Sequence, residues 1–455
     1  MILKNQFEPL VGRAMSGTPT AGVARSWEID PGYRTFTFHL DENRRFSDGS
    51  PVTAADFKAA WERSLSLIPR VDNSSLLDMA YAIDGFDQFH RTGHLAGVMV
   101  DGPSRLVVRF KRPFRMALHF LSGSRSAVYK KTGESFIGSG PYIIQEIGQD
   151  RLRLMPNPHH PSAKELSAIE VYHGETEEIL HSLELGKTDV ASSLMGTVIP
   201  ADLSKARNVE LLPGPYSAHR VGYVNGHRNS CLVDASNRRA LQFAIWRYLR
   251  KHSSSSGDSG EFLLDPQVYL EGQPGRISRE EAFKMIDSAE SQTAHLIRCT
   301  ANQPLKIWVA KDLVPVAESL ADFGIGLARV GVLDIGNYFE VLTDPSQWDL
   351  VFGSFSIPHA DPDGIYHALG KNGAILTRVT YREEVGSLLE SGRSLLKFDE
   401  MDRHYRKVTE AILTAVPMIH LGFTRSFAVV RSDRVEVRNV AFQRGEAQFD
   451  AFRLR

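Results

Sequence analysis

A chain of 455 residues exceeds the size at which one hydrophobic core stops growing, so two or more lobes are expected. Its 42% hydrophobic and 24% charged content is that of an ordinary soluble globular protein. Fifty-three basic and 54 acidic residues leave a net charge of −1, which argues against a nucleic-acid binder, and no apolar run approaches the roughly 18 residues that span a bilayer.

The opening MILKNQFEPL has neither the basic start nor the apolar core of a secretory signal. The chain is therefore expected to be cytoplasmic or a mature form whose leader was removed. FEPLVGR already has the character of folded domain, which favours the second. Thr35 to Leu40 alternates with a period of two, placing Phe36, Phe38 and Leu40 on one face of a strand. Ser47-Asp48-Gly49 supplies turn chemistry. Thr53 stands three residues before Asp56, a capping box with Asp in place of Glu. Phe57, Trp61 and Leu65 follow at a spacing of four and stack on one helix face. Leu106, Val108 and Phe110 mark a second alternating strand, ended by Pro113. Ile143 to Met155 reads as a hairpin around Gly148-Gln149-Asp150. Ser167 to Tyr172 reads as a strand, and Glu177 to Leu185 as a helix closed by Gly186.

Asn237 to Lys251 is the clearest helix, with Leu241, Ala244, Ile245 and Tyr248 as its apolar stripe. Ser253 to Gly260 is low in complexity and reads as a surface loop. A strand at Leu305 to Val309 precedes a helix at Val314 to Phe323, capped by Gly324. Trp348 to Phe352 is a strand that enters the loop GSFSIPHADPDG. Two helices, Glu383 to Leu396 and Met401 to Ala415, lead to terminal strands at Met418 to Gly422 and Phe427 to Val430. The second half thus alternates strand and helix as βαβ units do, while the first is richer in hairpins.

Catalytic signatures are missing: no GxSxG, HExxH, GxxxxGK[ST] or CxxC is present. No enzyme, metal or cofactor is expected. Cys231 and Cys299 read as two buried thiols, and their spacing cannot decide whether they pair. His90 and His94 flank Gly93 and read as a solvated loop. The adjacent His159 and His160 point apart. Asp361-Pro362-Asp363-Gly364 reads as a turn before a helix, since a calcium loop needs Glu where Asn372 stands. Ser122 to Ser126, SGSRS, reads as a surface loop, with an anion cradle as the alternative.

Four blocks carry a resemblance over nearly the whole chain. They are FEPLVG with AGVARSWEID, then FSDGSPVTAADFKAAWER (Phe46 to Arg63), then IGSGPYII (Ile137 to Ile144) running into MPNPHH, then NRRALQFAIWRYL (Asn237 to Leu249). In this order they resemble the family 5 extracellular solute-binding proteins that serve peptide and nickel ABC importers. His160 replaces the family's aromatic after NP, and Trp246 stands where an acid is common.

The resemblance implies an α/β fold of the type II periplasmic-binding-protein class, cluster C, with two lobes joined by a hinge. Lobe 1 would span 1–222, with an extra subdomain at about 41–136; lobe 2 would span 223–425, and 426–455 would return to lobe 1. Tyr223-Val224-Asn225 and Thr424-Arg425 are the candidate crossings. Peptide-binding members carry W-x-A-D-Y-x-x-P after a WDL-type strand, and its Asp neutralises the ligand's α-amino group. Here Phe355 replaces the Trp and Pro358 the Asp. The resemblance therefore points to Phe355, Ser356, Ile357, His359 and Asp361 as ligand-binding, with Asp361 or Glu8 supplying the acid. Tyr223 and Arg425 join them, and Arg425 or Arg220 would meet the ligand's carboxylate.

The implied function is capture of peptides, or of another small molecule such as a nickel chelate, for delivery to an ABC permease. The implied location is periplasmic or extracytoplasmic, and the expected state a monomer without nucleic acid. A ligand-sensing domain of a transcriptional regulator and an orphan binding protein are the alternatives.

Overall fold

The computed structural model describes residues 3–14, 18–67, 75–194, 208–225, 230–252, 262–334, 337–356, 361–370, 383–438 and 449–455. The chain forms two compact units, Met1–Tyr216 with Arg425–Arg455, and Ser217–Thr424. Two long strands, Val209–Val224 and Met418–Arg431, carry the chain across that division.

The first unit is built on a four-stranded antiparallel sheet in the order Ala24–Ile29, Thr35–Leu40, Arg105–Arg109, Val98–Val100. Phe36 pairs with Val108 and Phe38 with Leu106, and all four are fully buried. The period-two pattern thus places one side of the central strands in the core. Helix Ala54–Leu67 closes that core with Phe57, Trp61 and Leu65. Its start is held by Asp56, whose carboxylate accepts from the Thr53 N–H at 2.8 Å and the Thr53 hydroxyl at 2.6 Å. The hydroxyl donates here, so only half of the usual reciprocal capping pattern forms. The Trp61 indole donates to the Ser126 carbonyl at 2.8 Å.

SGSRS is not the surface loop expected of it. Ser122 and Ser126 are buried, and Arg13 donates to the Ser122 hydroxyl and, at 2.9 Å, to the His119 carbonyl. The hairpin Tyr142–Ile147 and Arg151–Pro156 extends to Ile169–Tyr172 as a three-stranded sheet. The GSGPY block before it lies directly on the N-terminal segment. A Cβ on Gly138 would fall 1.9 Å from the Gln6 carbonyl oxygen, and one on Gly140 would fall 2.5 Å from that of Asn5. Glycine is what lets the two backbones meet.

In the second unit, Leu305–Ala310 lies parallel to both Leu327–Leu333 and Leu350–Ser356. Helix Val314–Asp322 forms the crossover between the first two. Leu350–Ser356 pairs antiparallel with Ala218 to Val224. Helix Ala235–His252 is buried on more than its predicted stripe, since Phe243 and Trp246 are also in the core and Tyr248 is only partly so.

Three further expectations change. The strand predicted at Trp348 to Phe352 runs from Leu350 to Ser356, because Ala218 to Val224 supplies a partner for every one of its residues. The two predicted terminal strands are one, Met418–Arg431. It stays continuous because Phe262–Leu264 pairs across Gly422 to Thr424, and Gly422, at φ 151°, leaves room for the Leu263 carbonyl. Cys231 and Cys299 are joined in a disulfide, not two thiols. It ties the turn Ser230–Val233 to helix Thr293–Asn302 across 68 residues. The low-complexity stretch 253–260 lies outside the described residues.

Candidate functional site

The sequence-derived candidates fall on both units. Glu8 sits on the N-terminal segment of the first. Its Oε1 lies 3.1 Å from Arg44 Nη1 and 3.4 Å from His160 Nε2. The Ser162 N–H donates to His160 Nδ1 at 3.2 Å, and His160 Nε2 lies 3.1 Å from Arg44 Nη1 as well as facing Glu8. Glu8 Oε2 is buried without a hydrogen bond. Nearby, burial holds the Asp450 carboxyl above the ordinary carboxylate range, with Glu8 adding to that shift and His160 opposing it. Glu8 is therefore built into a buried cluster that fastens the N- and C-terminal segments together. The Asn5 side-chain carbonyl, accepting from the Phe449 N–H at 2.8 Å, adds to the same tie.

Arg425 also belongs to the first unit. Its guanidinium carbon lies 5.0 Å from the ring centre of Tyr216 and 5.2 Å from that of Phe427. Arg220, the other candidate cation, lies in the second unit and is ion-paired with Asp312.

Phe355 and Tyr223 are brought together in one core cluster of the second unit, with ring centres 6.5 Å apart. Phe355 pairs in register with His219 and stacks on its imidazole at 4.8 Å and 6°. Its ring is 3% exposed, so it is engaged in core packing rather than offered to solvent. Ser356 ends the strand opposite Ala218. Tyr223 lies inside this unit, whose boundary falls at Tyr216 and Ser217. Asp361 caps the turn Pro362–Ile365, its carboxylate accepting from the Asp363 N–H at 2.8 Å. Ile357 and His359, with Pro358, lie outside the described residues.

Two buried polar groupings escaped the sequence reading. In the first, Arg393, which directly follows helix Glu383–Gly392 and precedes helix Phe398–Ala415, reaches back to Asp363 at 3.1 Å. Its guanidinium lies over the Tyr366 ring at 3.9 Å. The pair fixes the turn that follows the candidate loop. In the second, His219 and His420 are buried 2.9 Å apart, and His420 also contacts the Asp265 carbonyl at 2.8 Å. Burial, the largest influence, lowers the His420 pKa to about 4. A histidine inside the apolar run Met418-Ile419-His420-Leu421 was the available signal. Among the described residues no group of three or more metal-ligating side chains occurs, and no helix is long and apolar enough to cross a membrane.

A family model described as bacterial extracellular solute-binding proteins, family 5 middle, matches residues 18–249. That span contains the blocks at Phe46, Ile137 and Asn237. The periplasmic oligopeptide-binding protein OppA of Salmonella typhimurium is 44% identical over 326 residues, covering 67% of this chain and 59% of that protein. OppA of Haemophilus influenzae is 24% identical over 332 residues, covering 64% and 59%. The match thus spans 59% of the length of either relative. Among solved structures, the Escherichia coli murein tripeptide-binding protein MppA superposes with a TM-score of 0.80 at 16% identity, covering 100% of this chain and 93% of that one. Haemophilus influenzae OppA in complex with RPPGFSPFR gives 0.79 at 16%, covering 100% and 94%. At such identities the likeness concerns the fold, which is the α/β two-lobe type II fold.

Proposed function

The chain belongs to the bacterial extracellular solute-binding proteins of family 5, and from that premise we propose that it captures short peptides between its two units and delivers them to the permease of an ABC importer. The observation that supports this reading most is the pair of strands that cross between two separately built units, at Tyr216–Ser217 and Thr424–Arg425. Two such crossings are what a hinge needs. A ligand that binds the closed arrangement better than the open one shifts the population toward it, and no bond is made or broken. The protein acts in this reading as a monomeric binding protein in the periplasm or another extracytoplasmic space. The Cys231–Cys299 disulfide agrees with an oxidising compartment. Relatives named as oligopeptide-binding proteins support peptides as the ligand class.

Of the assigned contacts on the second unit, Phe355 and Tyr223 are packed in its core, which leaves the backbone at the strand end by Ser356 and the turn at Asp361 to meet the ligand. Glu8 and Arg425 are the contributions of the first unit. Both candidate acids already have partners: Glu8 has Arg44, and Asp361 has the Asp363 N–H. Recognition then rests on main-chain pairing along an extended peptide more than on a dedicated acid for the α-amino group.

Native mass spectrometry of the purified protein tests the proposal. A mixture of short peptides, released on denaturation, is the expected result. A single non-peptide species, or no ligand together with no thermal shift against a peptide library, would remove peptide capture.

A further inference from the structure

The strand Leu350–Ser356 loses support toward its end. Leu305–Ala310 flanks one side of it only from Leu350 to Phe352. On the other side the ladder with Ala218 to Val224 runs as far as Ser356, and past Phe352 it continues alone among the described strands. Gly353, Ser354 and Ser356 bring no large side chain to that stretch. Phe355 does, and it lies flat on His219, its partner in register, with ring centres 4.8 Å apart and planes 6° apart. Cross-strand pairs of this kind are what stabilise a sheet locally.

His219 is in turn held by its edge. The Asp265 carbonyl accepts from His420 Nδ1 at 2.8 Å, which leaves His420 Nε2 to accept from His219 Nδ1 at 2.9 Å. Phe423 closes on the His219 ring at 4.8 Å. All of these residues lie within the second unit, and both histidines are buried. Packing alone does not ask for histidine, since an apolar side chain would fill the space without the cost of burying ring nitrogens. What the bonded pair adds is orientation. The carbonyl sets His420, His420 sets His219, and the flat face of His219 sets Phe355.

We propose that His219 and His420 are positioning residues for ligand capture: the chain from Asp265 through His420 and His219 to Phe355 holds the backbone at Ser356 in the direction that a bound peptide's main chain requires. This rests on the peptide-capture reading and deepens it, because the strand end by Ser356 is where that reading has the second unit meet the ligand. Neither histidine is assigned a ligand contact; both act through Phe355. Hydrogen bonds to a peptide main chain weaken steeply when misdirected, and a backbone already set in place loses little freedom on binding.

The test uses the full chain in calorimetric titration with a pool of tripeptides and the same pool methylated on both peptide nitrogens. Methylation removes main-chain donors and leaves the termini and side chains as they were. Wild type, His420→Gln, His420→Leu and His219→Phe are compared, and their unliganded urea midpoints confirm the fold. Wild type should bind the methylated pool about tenfold more weakly, the worth of roughly one hydrogen bond. His420→Leu leaves the His219 Nδ1 proton and the Asp265 carbonyl without this partner. It should lose about three- to tenfold for the plain pool and little for the methylated one, so that the methylation penalty shrinks. A purely structural fault would weaken both pools alike and leave the penalty intact. His420→Gln, which can still donate to Asp265 and accept from His219, should keep both the affinity and the penalty. If His420→Leu does not fold, His219→Phe carries the same comparison, since it keeps a flat ring against Phe355 without the bond to His420. A methylation penalty in these variants equal to that of wild type, or a His420→Gln protein as weak as His420→Leu, overturns the positioning role and leaves peptide capture standing. Wild type that binds both pools equally well does the same. No binding of either pool by folded wild type overturns both.

Discussion

His219 and His420 share a hydrogen bond whose direction is set by a third group. His420 Nδ1 lies 2.8 Å from the Asp265 carbonyl oxygen, which can only accept, so that nitrogen carries the proton. His420 Nε2 is then a lone pair, and His219 Nδ1 donates to it across 2.9 Å. The bond joins the two strands that cross between the units, within a few residues of each crossing. Phe355 and Phe423 close the ring of aromatic neighbours, each 4.8 Å from His219. The charged groups beside the pair are Asp265 and its partner Arg276. The Asp265 carboxylate favours a proton on His420, and Arg276 opposes it.

This arrangement makes stability depend on pH. Burial lowers the His420 pKa from 6.5 to about 4 in the folded protein. Between those values the unfolded chain binds a proton that the native chain refuses, so stability rises with pH. The contribution is fully present above about pH 6.5 and is lost as pH falls through about 4. It amounts to about 3 kcal/mol in all. Urea midpoints of the wild type at pH 7.5 and pH 4.5 should therefore differ more than those of His420→Gln, which can still donate and accept without titrating. An equal pH slope in the two proteins would remove His420 as the cause.

The disulfide offers a second measurement. Cys231 and Cys299 close a loop with a sequence separation of 68. Cross-linking a loop of that size restricts the unfolded chain by about 4 kcal/mol in the chain-entropy account. The double variant Cys231→Ala, Cys299→Ala should unfold at clearly lower urea than the oxidised wild type. Reduced wild type should behave like the variant. A midpoint unmoved by reduction would mean that the bond constrains nothing that matters to stability.

Much of the first unit was legible because its strands bury one face only. Phe36, Phe38 and Leu40 alternate with polar residues, and on the neighbouring strand Leu106 and Val108 are buried while Arg105, Val107 and Arg109 are less so. Phe57, Trp61 and Leu65 were legible for the corresponding reason at helical spacing. The end of the strand at Ser356 was not. Gly353, Ser354 and Ser356 carry no strand signal of their own, and their conformation comes from pairing with Ala218 to Gly222, far away in sequence. That pairing is also what turns Phe355 from a loop residue into a core residue beside His219. Arg393 with Asp363 and His219 with His420 are equally tertiary: each partner alone reads as an ordinary polar residue. Glu8 was picked out as an acid at a telling place in the family opening, but the sequence could not reveal that Arg44 and His160 already hold it.

Arg393 and Asp363 predict an asymmetry between single and double substitution. Both are buried, and the ion pair is 3.1 Å long with the Tyr366 ring beneath the guanidinium at 3.9 Å. Arg393→Met removes this cation from the buried Asp363 carboxylate and should cost about 3–5 kcal/mol. The double variant Arg393→Met, Asp363→Leu removes both charges and should recover part of that loss. Denaturation of the four proteins gives the coupling directly. Strictly additive effects would mean that the two side chains do not depend on each other.

The last prediction concerns the glycines of the GSGPY block. At Gly138 a Cβ would sit 1.9 Å from the Gln6 carbonyl oxygen and 2.6 Å from the Phe7 ring, so backbone would have to move. The displaced segment carries Glu8 and, through Asn5, the docking of Phe449. Gly138→Ala should therefore do more than lower overall stability. It should loosen the N- and C-terminal segments together, since Asn5 holds the Phe449 N–H and Glu8 holds Arg44. Hydrogen exchange at Phe449 would report this as faster exchange in the variant. Gly133, whose Cβ position is open, serves as the control for strain from positive φ alone. If Gly133→Ala and Gly138→Ala destabilise equally and leave Phe449 equally protected, the close backbone approach is not what requires glycine at 138.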